Sequence, residues 1–326
     1  MKLKKYEQKW LGVLDLFEPK EGQTIIEPHG KGEGYWVGAP CVIYDTDRKK
    51  FYLYYRIRKP RPVRGGECRI AESEDGINFK DIWGLKKEDL NSDSIEKSYI
   101  VKKPDGKYFL YISYVDPEDG RWRIDVMEAE SPDKFSTSSM KKVLTASDIK
   151  AEGIKDPYVI LLGGLYYMIV SYAPTPKKKV SYEEMHGTRD IYNTGVTKSH
   201  TGLCISSDGV NYKWLGDILS PSEDGWDSYA SRISCLLYLP PVFIGFYDGS
   251  KTVKENYEEK TGLCISLDLK NYEKISTSSP VLVSPYASKS LRYMDVVQFE
   301  DSIYFYYEFA REDGSHEIRM NKVNIE

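Results

Sequence analysis

Helical periodicity is nearly absent from this 326-residue chain. Short alternating or apolar runs, broken by Gly, Pro, Asp and Asn, stand in its place and point to an all-β protein. There is no CxxC pair: the five cysteines, at 41, 68, 204, 235 and 264, are scattered and mostly lie inside apolar runs. That pattern argues against a zinc knuckle or a disulfide framework and reads as buried free thiols in a reducing cytoplasm. No window approaches the apolar length of a membrane span. The opening residues, Met1 to Trp10, lack the apolar core of a signal peptide. The expectation is a cytoplasmic protein without a membrane partner. A basic footprint is missing too: a net charge of −4 and a pI near 5.8 argue against a general nucleic-acid binder. The short run Lys177-Lys178-Lys179 reads as a solvated loop tip. With no P-loop, Gly-rich dinucleotide fingerprint or Ser nucleophile elbow, no cofactor is expected.

What the chain has instead is tyrosine. There are 27 Tyr and 6 Trp, with Tyr-Tyr pairs at 54-55, 166-167 and 306-307. Such residues favour strands, and rings with an apolar face and a polar tip suit sugar binding. The chain also repeats itself. Thr201-Gly202-Leu203-Cys204-Ile205-Ser206-Ser207-Asp208 returns as Thr261-Gly262-Leu263-Cys264-Ile265-Ser266-Leu267-Asp268, each followed by an Asn-Tyr pair. Arg69 to Phe79 is a third copy and Asp125 to Phe135 a weaker fourth. Upstream of the copies lie hairpins with an apolar run, a tight turn and a Tyr/Phe-rich run. They begin near Ala39, Ser98, Asp156, Arg232 and Asp295, about 60 residues apart as four-stranded blades with generous loops would be. The resulting expectation is one domain over residues 1–326, a single five-bladed β-propeller with blades of four antiparallel strands. The N-terminal run Trp10 to Leu16 would supply the strand that closes the last blade, removing an open edge. A two-domain β-sandwich is the alternative.

In that layout the turns after the first strands are short: Asp45-Thr46-Asp47, Pro104-Asp105-Gly106, Gly163-Gly164, Pro240-Pro241 and Glu300-Asp301. The opposite face carries long, varied connections, as binding loops tend to be, at 56–67, 115–121, 173–200, 248–260 and 309–316. Strand starts bring Glu96, Asp156, Arg232 and Asp295 to that face; ends of second strands add Arg56, Tyr114, Tyr172, Asp248 and Glu308. Converging carboxylates suit glycosidic cleavage, in which one group protonates the leaving oxygen and another activates water or attacks the sugar. Asp156, Asp248, Glu308, Glu96 and Asp295 are therefore the candidate catalytic residues. Each has a plainer reading as a turn cap or rim ion pair. The segment Arg56 to Glu67 is basic and proline-rich. Its guanidinium groups suit phosphate or a carboxylate, or pair with Glu67 and Glu72. Arg56, Arg58, Arg64, Tyr114, Tyr172, Arg232, Arg292 and Trp36 form the candidate binding set. The 173–200 connection is long enough for a lid and carries Glu183, Glu184, His186 and His200. The two histidines lack a metal-ligand spacing, so no metal is expected.

At Lys155-Asp156-Pro157 and the Tyr-rich hairpin after it, the chain resembles the five-bladed propeller glycosidases of glycoside hydrolase families 43, 32, 62 and 68. The family 130 phosphorylases are relatives of the same architecture. The likeness spans the whole layout. In family 43 the first, third and fourth blades carry the base, a pKa-modulating aspartate and the acid. The third-blade position matches as Asp156. The first reads Gly38-Ala39-Pro40 and the fourth Ala230-Ser231-Arg232, so neither carries the family's carboxylate. The resemblance implies a glycoside hydrolase acting on a small soluble saccharide, with Asp156 catalytic or modulating and Asp248 or Glu308 donating the proton. A phosphorylase using inorganic phosphate, a non-catalytic sugar- or anion-binding propeller and a protein-interaction propeller are the alternatives. The sequence leaves the oligomeric state open.

Overall fold

The computed structural model describes residues 16–324. Among them the chain is built from twenty strands, one short α-helix and seven brief 3-10 turns, as the run of β-branched and aromatic alternation requires. Strand β1 (Gln23–Ile26) precedes a first unit of β2 (Trp36–Asp45), β3 (Lys50–Lys59), β4 (Arg64–Ser73) and β5 (Lys80–Lys86). The second unit is β6 (Tyr99–Lys102), β7 (Tyr108–Val115), β8 (Trp122–Ala129) and β9 (Lys141–Thr145). The third is β10 (Ala151–Leu162), β11 (Leu165–Pro174), β12 (His200–Ser206) and β13 (Lys213–Leu219). Helix α1 (Tyr182–His186) lies in its long connection. The fourth is β14 (Ala230–Leu239), β15 (Val242–Ser250), β16 (Lys260–Ser266) and β17 (Glu273–Lys274). The last is β18 (Leu291–Phe299), β19 (Ser302–Ala310) and β20 (His316–Asn324).

Each unit pairs its strands antiparallel in chain order. The middle three are separate sheets, while the first and last are joined into one by the single parallel pair Trp36–His316. The first strands touch in a closed cycle: β2 meets β6, then β10, β14 and β18 follow in turn, and β18 returns to β2. One large apolar core threads all the units, and a second cluster around Phe51, Tyr304 and Tyr306 fills the seam between last and first. The five cysteines are all buried and unpaired in that interior. Among the described residues no helix is long and apolar enough to cross a membrane.

The repeats are legible atom by atom. In the turn after β4, the Asp75 carboxylate accepts the backbone N–H of Ile77 and Asn78 at 2.8 Å, and Asn78 Nδ2 donates to its other oxygen at 2.7 Å. Asp208 with Asn211 and Asp268 with Asn271 repeat this bonding. A short polar side chain thus mimics the turn's own backbone, which is why the same residue types recur. The weaker copy keeps only the Ser131–Asp133 contact of this set.

Two expectations shift. The last unit is completed by an N-terminal strand, but the strand is Gln23–Ile26 paired with β20. Residues 10–15 of the expected run lie outside the described residues. The expected basic loop is mostly strand: Arg56 and Arg58 belong to β3 and Arg64 to β4, leaving a connection of only 60–63. Strands β2 and β10 begin before the points their prolines suggest. Pro40 and Pro157 sit beside bulges that the strands run through, where a missing ladder donor is tolerated.

Candidate active site

Those bulges shape the end of the strand cycle where buried charged side chains gather, its mouth. Ala39, Asp156 and Tyr293 occupy equivalent bulge positions in the first, third and last units, and all take left-handed backbone angles, with φ of 54°, 56° and 52°. A non-glycine residue is strained there, and strain of this kind clusters where a side chain must be aimed. Pairing then defines a ring of equivalent positions. The residue before the bulge pairs with one on the second strand: Gly38 with Arg56, Lys155 with Ser171, and Arg292 with Glu308. In the fourth unit Arg232 pairs with Asp248.

Around this ring runs an arc of alternating charge. Arg58 Nη1 donates to Glu96 Oε1 at 2.9 Å, and Arg56 Nε lies 3.3 Å from Glu96 Oε2. Arg56 Nη2 donates to Glu308 Oε2 at 2.9 Å, and Arg292 Nη2 to Glu308 Oε1 at 2.8 Å. Arg292 Nη1 donates to Glu259 Oε2 at 2.7 Å, and Arg232 Nη1 to Glu259 Oε1 at 2.8 Å. Every member is buried. The arc leaves out the third unit, whose contribution is Lys155 and Asp156, 3.2 Å apart from Nζ to Oδ2. Gly38 has no side chain because the Glu308 carboxylate fills the place: an added Cβ would lie 1.7 Å from Glu308 Oε2.

The charges sort the carboxylates. Burial opposes ionisation of Glu308, but Arg292 and Arg56 hold it well below the usual range. Burial works the same way on Glu259, and Arg292 and Arg232 bring it down to about 2. Burial also pushes Glu96 up, and Arg56, Lys155 and Arg58 outweigh it, so Glu96 is lowered. Asp156 goes the other way. Burial raises it, the neighbouring Glu96 adds to the rise, and Lys155 and Arg232 offset only part. Neither of its carboxyl oxygens has a hydrogen-bond partner within the chain, and Glu96 Oε2 has none either. Burial and Glu259 push Asp248 up to about 8, although its Oδ1 accepts the Tyr293 N–H at 3.0 Å. Burial pushes Asp295 up to about 7 against the pull of Lys97.

Two candidates point elsewhere. The Tyr114 hydroxyl donates to Asp125 on β8 at 2.8 Å, and that of Tyr172 to Asp217 on β13 at 2.9 Å. Side chains alternate along a strand, so the positions facing the mouth are one residue earlier, Ser113 and Ser171. Asp295 is no strand-start residue either. It lies past the bulge, accepting the Val42 N–H at 2.6 Å and facing Lys97, deeper than the ring. Arg64 meets the Asp190 carboxylate at 3.3 Å, part of a latch that also takes Trp122 Nε1 at 3.0 Å and the Tyr257 hydroxyl. Trp36 stacks on His316 at 4.4 Å and lies beneath the guanidinium groups of Arg58 and Arg292.

Sequence reasoning missed Lys155, Asp190, Glu259, Tyr293 and His316. Lys155 adjoins the candidate Asp156, and strict alternation would put the two on opposite faces; the bulge between Lys155 and Tyr158 is what brings both to the ring. Asp190 and Glu259 come from the two long connections, where no local pattern distinguishes an inward carboxylate from a solvated one. The connection carrying Asp190 packs Tyr192 against Lys155 and Arg232, with the ring centroid 5.1 Å and 5.3 Å from their charges, and its expected polar residues do other work. His186 Nε2 meets Glu152 at 3.0 Å and His200 Nδ1 meets Asp217 at 3.1 Å, in separate places. Among the described residues no group of three or more His, Cys, Asp or Glu is placed to hold a metal.

No protein-family profile matches the chain, and no curated protein matches it. Solved structures do. One, described as a complex of BT0996 with RGII, superposes with a TM-score of 0.72 at 12% identity, covering 98% of this protein and 95% of that one. The two share a fold. A structure described as a glycoside hydrolase gives a TM-score of 0.72 at 11% identity, with 99% and 95% covered. The β-1,2-mannobiose phosphorylase of Listeria innocua, in complex with β-1,2-mannobiose, gives 0.60 at 13% identity, with 94% of each protein covered. The resemblance read from Lys155-Asp156-Pro157 thus holds at the level of the fold.

Proposed function

We propose that this chain is a carbohydrate-active enzyme on a five-bladed β-propeller, cleaving a glycosidic bond with Asp156 as the proton donor. The five four-stranded units, their first strands in a closed cycle, support the propeller. The likeness to the glycoside hydrolase and the mannobiose phosphorylase supports the substrate class. One observation carries the chemistry: two adjacent buried carboxylates are driven apart, Asp156 towards the protonated form and Glu96 towards the ionised form. Such a divided pair is how one site holds an acid and a base together. Asp156 gives its proton to the glycosidic oxygen as the C–O bond breaks, and Glu96 accepts a proton from the water that adds to the anomeric carbon. Glu308, expected as a donor, is held ionised by two arginines and serves the scaffold instead.

Phosphorolysis is the second reading, favoured by Arg56, Arg58, Arg232, Arg292 and Lys155 around one mouth. There phosphate replaces water as the attacking group. Screening aryl glycosides and oligosaccharides with and without inorganic phosphate separates the two. Asp156→Asn should lower kcat about 10²–10⁴-fold, the usual contribution of a general acid, without lowering the melting temperature. Unchanged turnover in that variant overturns the assignment. The buried, unpaired cysteines support a reducing, cytoplasmic setting.

A further inference from the structure

The arc of ion pairs does not use up its donors. Arg56 is fully buried, yet its Nη1 has no hydrogen-bond partner in the chain. Its Nε faces Glu96 Oε2 at 3.3 Å without forming a hydrogen bond. Lys155 is 2% exposed, and the one oxygen near its ammonium is Asp156 Oδ2 at 3.2 Å. The ring faces of Trp122 and Tyr192 flank it, each with a centroid 5.1 Å away, and the carboxylates of Glu96 and Asp190 act on it from farther off. Aromatic faces attract a cation but supply no counter-charge. Five basic side chains, Arg56, Arg58, Arg232, Arg292 and Lys155, therefore meet three carboxylates held ionised, Glu96, Glu259 and Glu308. A fourth, Asp190, is shared between Arg64 and Lys155, which leaves six cations to four anions. Asp156, beside Lys155, is shifted by burial towards the neutral form. Burying unmatched positive charge is costly unless something pairs with it.

We propose that the mouth recognises an acidic saccharide, whose carboxylate is held by the spare donors of Arg56 and Lys155. Guanidinium and ammonium groups bind a carboxylate through charge-assisted hydrogen bonds, and the surrounding ring faces suit the apolar side of a sugar. The ring positions of the third unit explain the selectivity. Lys155 has Ser171 opposite it, where Arg292 has Glu308, so no carboxylate meets it across the strand pair.

This inference rests on reading the mouth as a saccharide site, and a binding experiment separates the two. Titration calorimetry compares glucuronic-acid-bearing oligosaccharides with their carboxyl-reduced forms, which have the same shape without the charge. The acidic form should bind about 10- to 100-fold more tightly, as expected for hydrogen bonds to a charged group. In Lys155→Met, folded by its melting temperature, that preference should shrink while binding of the reduced form stays. Equal affinity for the two forms, or binding of neither, overturns the proposal. So does inorganic phosphate binding that promotes cleavage of neutral saccharides, because the anion is then a co-substrate. Acidic saccharides that bind without being cleaved support this inference and overturn the catalytic reading instead.

Discussion

Asp248 and Glu308 occupy the same place in neighbouring units. Each stands on the second strand opposite an arginine of the first, Arg232 or Arg292, and each is fully enclosed. Yet Asp248 is pushed up to about 8 while Glu308 is held far below the usual range. The difference is one methylene and what it reaches. Glu308 meets Arg56, Arg292 and His316. Asp248 receives one backbone N–H, because Arg232 turns away to Glu259, Asn256 and Ser199. Burial alone raises a carboxylate; only enough cations reverse it. Asp156 belongs with Asp248 in this respect, which is why it suits proton donation and Glu308 does not.

The sharpest way to break this contrast is to remove the shared cation. Arg292→Met leaves Glu308 and Glu259 short of compensation and should cost about 3–5 kcal/mol in denaturant unfolding, the usual penalty for one side of a buried ion pair. Asp248→Asn should cost little by the same measurement, since its charge is already suppressed. Equal losses would mean that the arc is not what holds Glu308 ionised. A smaller effect comes from steric crowding. Gly38→Ala puts a methyl group where the Glu308 carboxylate lies, and should cost about 1–3 kcal/mol as overpacking does. Shortening the intruder with Glu308→Asp should show non-additive relief in the double variant.

The pH slope tests the same contrast through titration. Asp248 and Asp295 are raised in the folded chain to about 8 and about 7, against about 3.9 unfolded. Between those values the folded chain keeps protons that the unfolded chain has released. Stability should therefore fall as pH rises from about 4 towards about 8, by at most about 1.4 kcal/mol per pH unit for each group. Glu308 and Glu259 act oppositely, and their contribution is lost as pH falls below about 4, where unfolded glutamates protonate. Urea unfolding across this range should show a shallower slope in Asp248→Asn; an unchanged slope would contradict the shift assigned to it.

Much of the architecture was legible because it is periodic. The Ser-x-Asp turns with a following Asn repeat, and the tight first turns and long opposite connections mark two distinct ends. Carboxylates at 96, 156, 248 and 308 could be placed near one face from strand alternation alone. Tyr114 and Tyr172 were misplaced by one residue, a slip that turns a side chain to the other face of its sheet. On the first strands the bulges at Ala39, Asp156 and Tyr293 change the phase as well, and only the first two are followed by a proline.

By itself, the sequence determined an all-β chain of repeated four-stranded units and singled out Lys155-Asp156-Pro157, because alternation and turn chemistry are local. Tertiary structure decided which carboxylates are ionised. That depends on arginines and glutamates up to 252 residues apart, as in Arg56 with Glu308, meeting in a space that excludes water. No local pattern encodes such a meeting.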